Sequence, residues 1–406
     1  MKPDNHIKPF AVCRYDKPMR RGIYFSLPVF GTLLLAPLLI MGPMARAQHI
    51  DLQGQIVTWA LNNGEGAKHS QVGARFIPAL YAEKALSGKW GISAEASLHA
   101  YGFHTFAGWN RENRDGDFKP YRCWLRLSTA QLEARIGLQK INFGSATLLR
   151  PLMWFDRIDP RDPLQLTDGV YGLLLRYYFL NNANIWVWGL YGNDALKGWD
   201  VIAGDADRVE YGGRLQWPLA TGEIGFSFHH RRMDLQKGLL QTLPLGSGSA
   251  PENRFALDGK WDLGIGCWFE AVLIHHPLQW SQLSYQNMVT FGADYTVGLG
   301  NGIQIITEYL LLTTGAEPFE AAERLSFSAL SANYPFGLLD WLGAMVYHDW
   351  KHHDWYRFVN WTRTYDRCKL NLMAYWNPEQ FLLYQNRASA NAFNGKGVQW
   401  MIIFNF

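Results

Sequence analysis

Six ionisable side chains crowd the stretch from Arg150 to Asp162: Arg150, Asp156, Arg157, Asp159, Arg161 and Asp162. Pro151, Pro160 and Pro163 fix the backbone around them. Leu148, Leu149, Leu152, Met153, Trp154, Phe155 and Ile158 lie among the charges and need a surface to pack on. A stiff run of mixed charge with an apolar underside suits the sorting of ions and polar solutes by field and size. It does not suit bond-making, since the chain has no G-x-S-x-G elbow and no phosphate loop. The doublets His229-His230, His275-His276 and His352-His353 resemble metal or acid–base pairs. On a strand, however, neighbours point to opposite faces, so the two members do not readily share a ligand. Ser97, His99, His229 and Asp294 combine into a hydrolytic set only on paper. Cys123, Cys267 and Cys368 form no C-x-x-C pair, which argues against a zinc or redox site. They are expected as unpaired wall thiols, with one disulfide in an oxidising envelope as the alternative. The expectation is a non-enzyme with no cofactor and no metal.

The elements that must position these residues are strands. In Met288–Val297 the residues Val289, Phe291, Ala293, Tyr295 and Val297 alternate with a smaller, mostly polar set. Trp90, Ile92, Ala94, Ala96 and Leu98 do the same against Ser93, Glu95, Ser97, His99 and Tyr101. A period of two with one bulky apolar face implies strands between two different surroundings. Short connections, such as Ser87-Gly88 and Pro218 to Thr221, alternate with long ones. The long ones include His104 to Pro120, Ile141 to Asp168, Asp194 to Asp207, Met233 to Glu252 and Asn377 to Lys396. This layout predicts an all-β, antiparallel transmembrane barrel of about 18 strands, with 16 as the nearest alternative. Closure follows from lipid, where an open sheet edge would leave a row of backbone groups unpaired.

If the bulky face meets lipid, the other face lines a lumen. Its predicted lining includes Arg75, Arg122, Arg126, Glu133, Arg135, Arg176, Arg214, Asp294, Glu308 and Arg324. Many of these charges are expected to brace the wall by pairing, Arg122 and Arg126 with the nearby Glu133–Arg135 segment among them. The excess of arginine permits a weak preference for anions.

Residues 1–47 read as a cleaved signal peptide. Lys17, Arg20 and Arg21 precede an apolar run, and Ala45-Arg46-Ala47 is an A-x-A site. Seven of the 38 basic and two of the 35 acidic residues lie in that leader, leaving 31 against 33. The formal +3 therefore gives no support to nucleic-acid binding. Residues 48–406 are expected to form one barrel, with 141–168 folded into its lumen.

The last ten residues, GVQWMIIFNF, set Val398, Trp400, Ile402, Phe404 and Phe406 on one face. This resembles the final strand of bacterial outer-membrane barrels, whose terminal aromatic is part of the signal read by the barrel-assembly machinery. The segment Arg135 to Phe179 resembles a motif of porin-like outer-membrane proteins, including a largely uncharacterised Bacteroidota group. The matching residues are Gly137-Leu138-Gln139, Phe143-Gly144, Asp159-Pro160-Arg161-Asp162-Pro163 and Tyr177-Tyr178. Leu138 stands where an Arg is common, so no ligand contact of that Arg carries over. In layout the chain also resembles alginate-export barrels. The long third loop resembles the constriction loop of general porins. The resemblance implies an outer-membrane channel for small polar solutes or a narrow oligomer. The alternative is a plugged scaffold that binds a protein or surface glycan through its loops, with Trp350, His352, His353 and Trp355 among the contacts.

Overall fold

The computed structural model describes residues 49–64, 69–86, 88–108, 110–238, 248–277, 284–379 and 393–406. The expected signal peptide lies outside these residues, as do positions 380–392 of the last long loop. The first strands are β1 (His49–Asn63), β2 (His69–Ala85), β3 (Gly91–Ala107), β4 (Asn110–Ser128) and β5 (Leu132–Gln139). Next come β6 (Val170–Tyr178), β7 (Asn184–Leu190), β8 (Ile202–Gly204), β9 (Glu210–Leu219) and β10 (Gly222–Gly238). Then follow β11 (Ser249–Asp262), β12 (Gly266–His275), β13 (Tyr285–Val297), β14 (Ile303–Gly315) and β15 (Glu323–Pro335). The chain ends on β16 (Asp340–Asp349), β17 (Asp354–Thr364), β18 (Cys368–Trp376) and β19 (Lys396–Asn405).

Each wall strand pairs antiparallel with its sequence neighbours, and β1 pairs with β19 to close the sheet. The three-residue β8 stands outside the wall. It sits in the β7–β9 connection and pairs with the far end of β10, while β7 pairs directly with β9. The wall is therefore a closed barrel of 18 strands. Short turns occupy one end and longer connections the other. One expected long loop is mostly strand: His104 to Pro120 extends the β3–β4 hairpin.

Register carries one outward face around the seam. Phe404 opposes Ile56, Ile56 opposes Phe76, Phe76 opposes Ala100, and Ala100 opposes Phe118. In β19, Val398, Trp400, Ile402, Phe404 and Phe406 are all exposed, while Gln399, Met401 and Ile403 are buried inside. A stacked sandwich would hide the first set. Here the greasy face is the outside, which is what hydrocarbon solvates. Cys123, Cys267 and Cys368 are unpaired and partly buried.

The inward face departs from expectation. It is not polar throughout. Val272, Ile274, Met288, Leu310, Leu312, Phe327, Tyr347, Tyr356, Phe358, Met373 and Tyr375 are buried in one cluster with the loop residues Leu148, Leu149, Leu152, Trp154 and Phe155. Part of the lumen wall is a packing surface for chain that has come inside.

Candidate functional site

Residues 140–169 leave β5 and return to β6, yet their hydrogen bonds go to β12, β13 and β14 on the far side of the barrel. Glu308 on β14 accepts from the backbone N–H of Thr147 (2.7 Å), Leu148 (2.9 Å) and Leu149 (2.5 Å). The Trp268 indole N–H donates to the same carboxylate at 2.9 Å. Glu270 on β12 accepts from Ala146 N–H (2.8 Å) and Leu152 N–H (3.1 Å). The Thr290 hydroxyl on β13 donates to the Leu149 carbonyl at 2.8 Å. A buried turn without regular structure needs partners for its backbone groups. Two buried carboxylates supply them, and charge-assisted bonds of this kind are the stronger ones.

A second connection, between β7 and β9, docks onto the first. Trp199 donates its indole N–H to the Arg150 carbonyl (2.8 Å), and Gly198 N–H donates to the Asp156 carbonyl (3.1 Å). The buried Lys197 ammonium donates to the Gly169 carbonyl at 3.3 Å. Burial pulls that ammonium down to about 8. Nothing in the sequence around Lys197 announced this docking.

The six charges of the loop mostly face each other. Arg150 and Asp156 form a buried pair at 3.3 Å. Arg161 grips Asp159 through two bonds, of 2.7 and 2.5 Å, and lies over the rings of Phe358 and Phe393. Arg157 donates to the Leu196 carbonyl of the second connection. Asp162 accepts from Leu164 N–H, and burial raises its carboxyl despite the nearby Arg75 cation. Burial also acts to raise Asp168, but the Lys119 ammonium at 2.8 Å outweighs it and holds that carboxyl low.

The predicted lining residues fall into three groups. Arg75, Arg122, Arg126, Glu133, Arg135 and Arg176 share the inward register of β2–β6. Glu133 serves Arg135 (2.8 Å) and Arg176 (3.7 Å), whereas Arg126 bonds Ser93 and Arg122 bonds the Thr167 carbonyl. The expected bracing of Arg122 and Arg126 by Glu133 is therefore absent among the described contacts. These cations are interleaved with rings: Arg75 over Trp59, Arg122 over Tyr121, Arg135 over Trp124 and Arg176 over Trp186. The second group, Arg214 with Asp258, Glu308 and the partly buried Asp294, also faces inward. Arg324 is the correction. On β15 the inward residues are Phe327, Ala329 and Ser331, so Arg324 falls in the outward register with Leu330 and is exposed.

Two features were missed. Glu270 went unnoticed because β12 is apolar on both faces around it, with Trp268, Val272 and Ile274 inward and Phe269 and Leu273 outward. A buried ion network was missed because its members are far apart in sequence. Arg231 bonds Glu252 (2.5 Å) and Asp200 (3.0 Å), Arg254 bonds both acids (2.6 Å each), and the His276 Nδ1 lies 3.0 Å from Glu252. The paper set Ser97, His99, His229 and Asp294 is scattered over β3, β10 and β13.

A closed sheet with hydrocarbon-compatible side chains outside and chain docked inside defines a transmembrane β-barrel of the bacterial outer-membrane type. Solved structures of similar layout include an anion-selective porin from Comamonas acidovorans (14% identity, 88% of this chain and 99% of that one, TM-score 0.47). OccAB1 of Acinetobacter baumannii is 10% identical over 89% of this chain and 96% of its own (TM-score 0.49). OmpF of Salmonella typhi, solved in complex with daunomycin, is 11% identical over 88% and 97% (TM-score 0.48). No protein-family model and no curated protein matches the sequence. What the barrel does is therefore read from its own lumen.

Proposed function

We propose that this protein is an outer-membrane channel through which small polar solutes or a narrow oligomer diffuse, with residues 141–168 setting the bore. The carrying observation is the binding of that loop's backbone by Glu270 and Glu308 on the opposite wall. The loop also meets the near wall, where Arg122 donates to the Thr167 carbonyl and Leu164 packs with Val57, so it reaches across the bore. The charged lining beside it is the Arg–aromatic wall of β2–β6, where a weak preference for anions would arise. Reconstitution in a planar bilayer tests the reading, with discrete conductance steps expected from folded protein. Deleting Leu148 to Pro163 should raise the step size, and an unchanged step would remove the loop from the role of constriction.

A second reading has its own support. The apolar cluster that joins the loop to the wall is large. A lumen filled by it would make the barrel a scaffold for loop-mediated binding, and folded protein would then show no conductance. Cleavage of residues 1–47, assembly guided by Phe406, a non-enzymatic role, and kinship with the Bacteroidota porin-like group or alginate-export barrels belong to the same proposal. They rest on the sequence motifs.

A further inference from the structure

Two arginines stand on the wrong side of this wall for a lumen role. Arg357 on β17 opposes Val346 of β16 and Trp376 of β18, and it shares the outward register with Trp355 and Val359. It is exposed, and its guanidinium lies 5.8 Å from the Trp355 ring. Arg357 sits seven residues from Thr364, where β17 ends at the short-turn side. At ~3.3 Å per residue and a tilt of ~40°, that is roughly 18 Å into an apolar band of roughly 25 Å. Arg357 therefore faces the outer leaflet near its polar boundary. Arg324 marks the upper rim of the same face on β15.

Between the two lies an aromatic cluster. His348 stacks on Trp355 (4.3 Å) and meets Trp350 edge-on (4.6 Å). Trp350 donates to the Ser328 hydroxyl at 2.9 Å. Ser328, His348 and Trp355 are outward residues of β15–β17, and Trp350 lies in the connection just after β16. Neither Arg324 nor Arg357 has an ion pair among the described residues. Glu323, beside Arg324, is taken by Lys351 (2.8 Å). Asp340, the outward acid of β16, sits at the opposite end with Arg363 (3.4 Å). An arginine facing lipid is costly at depth and is tolerated where an anion meets it at the interface.

We infer that the outer half of the β15–β18 face is a docking site for a phosphorylated lipid headgroup of the outer leaflet. Arg357 takes a phosphate, Arg324 offers a second cation above it, and Trp350, Trp355 and Trp376 pack against the sugar and upper acyl chains. Charge complementarity selects this occupant. A second copy of the chain would have to bring carboxylates to Arg357, and the described outward strand residues of this face carry none in its outer half, the rim acid Glu323 being held by Lys351. The inference needs only the membrane-spanning class, so it stands whether or not the lumen conducts.

The test is binding to delipidated, folded protein in neutral detergent, read by native mass spectrometry. The probes are a bis-phosphorylated glucosamine-disaccharide lipid and the same lipid with its phosphates removed. Wild type should bind the phosphorylated form roughly tenfold more tightly, since charge-assisted bonds to phosphate are the difference. Arg324→Gln/Arg357→Gln should lose that factor while keeping the β-sheet circular dichroism of wild type. Arg357→Lys should recover part of it. Equal binding of the two lipids by wild type, or an undiminished preference in the double variant, overturns the inference. So does a lipid-free oligomer of wild type that the double variant dissolves, which would make this face a contact between copies.

Discussion

Glu308 accepts from five donors: three consecutive backbone N–H groups, the Thr147 hydroxyl and the Trp268 indole. Glu308→Leu removes all five bonds in a buried site, a loss on the order of 3–5 kcal/mol. Glu308→Gln keeps one acceptor and turns an N–H₂ towards N–H groups, for about 1–3 kcal/mol. Urea unfolding in lipid vesicles should rank wild type above Gln above Leu, and the conductance of both variants should be larger and noisier. An unperturbed Leu variant would mean the loop is held elsewhere. Lys197 gives the opposite sign. Its folded value, lowered by burial to about 8, lies below its ordinary 10.5. Below pH 8 the folded state holds a charge that burial disfavours, so stability should rise as pH goes from 8 to 10.5 and level off above. Lys197→Met should stabilise at pH 7 by about 1–3 kcal/mol and flatten that rise. At this scale the sequence was half legible. Strand parity put Glu308 inside, but its partners are backbone groups some 160 residues away, which no side-chain pattern records. Parity misplaced Arg324 because β15 opens on polar residues that mark neither face.

The two inserted connections act as one unit. Gly198 has φ +38°, and a Cβ there would strike the Met153 carbonyl, so the β7–β9 connection presses directly on the β5–β6 loop. Gly198→Ala should force the connections apart, and Trp199→Phe should break the bond to Arg150 with less disturbance. Each should raise conductance by less than deletion of Leu148 to Pro163 does. Combined with Glu308→Gln, either should fall short of additivity by about 0.5–3 kcal/mol in urea unfolding, because both act on the same bound loop. Full additivity would make the two connections independent. The first loop was readable because seven large apolar residues in a proline-stiffened, charged segment cannot stay in water. The second was not, since the apolar residues of Asp194 to Asp207 mark no particular partner, and their burial depends on a surface that exists only after the first loop has come inside.

Over the whole molecule, alternation was the legible signal. It carries through most wall strands, β12 being apolar on both faces, and lipid leaves a closed sheet as its outcome. The apolar inner cluster was hidden by the same logic, since a residue that faces a docked loop looks in sequence like one that faces a core. Closure depends on the β1–β19 seam, where Gly54 N–H donates to the Phe406 carbonyl (2.9 Å) and Phe406 N–H donates back (3.1 Å). The Phe406 ring lies over Gly54 and against Phe76, with centroids 6.1 Å apart, and a Cβ on Gly54 would enter the ring. Gly54→Val adds a good strand former but evicts the ring, for a net loss of about 1–3 kcal/mol. Phe406→Ala empties the same contact from the other side. The two changes should be strongly non-additive, with the double variant folding into vesicles no more slowly than Gly54→Val alone. A Gly54→Val barrel that folds and resists urea like wild type would show that the terminal ring does not hold the seam. The edges of β1 and β19 would then be kept together by their backbone pairing and by contacts such as Gln55 to Asn405 (3.1 Å).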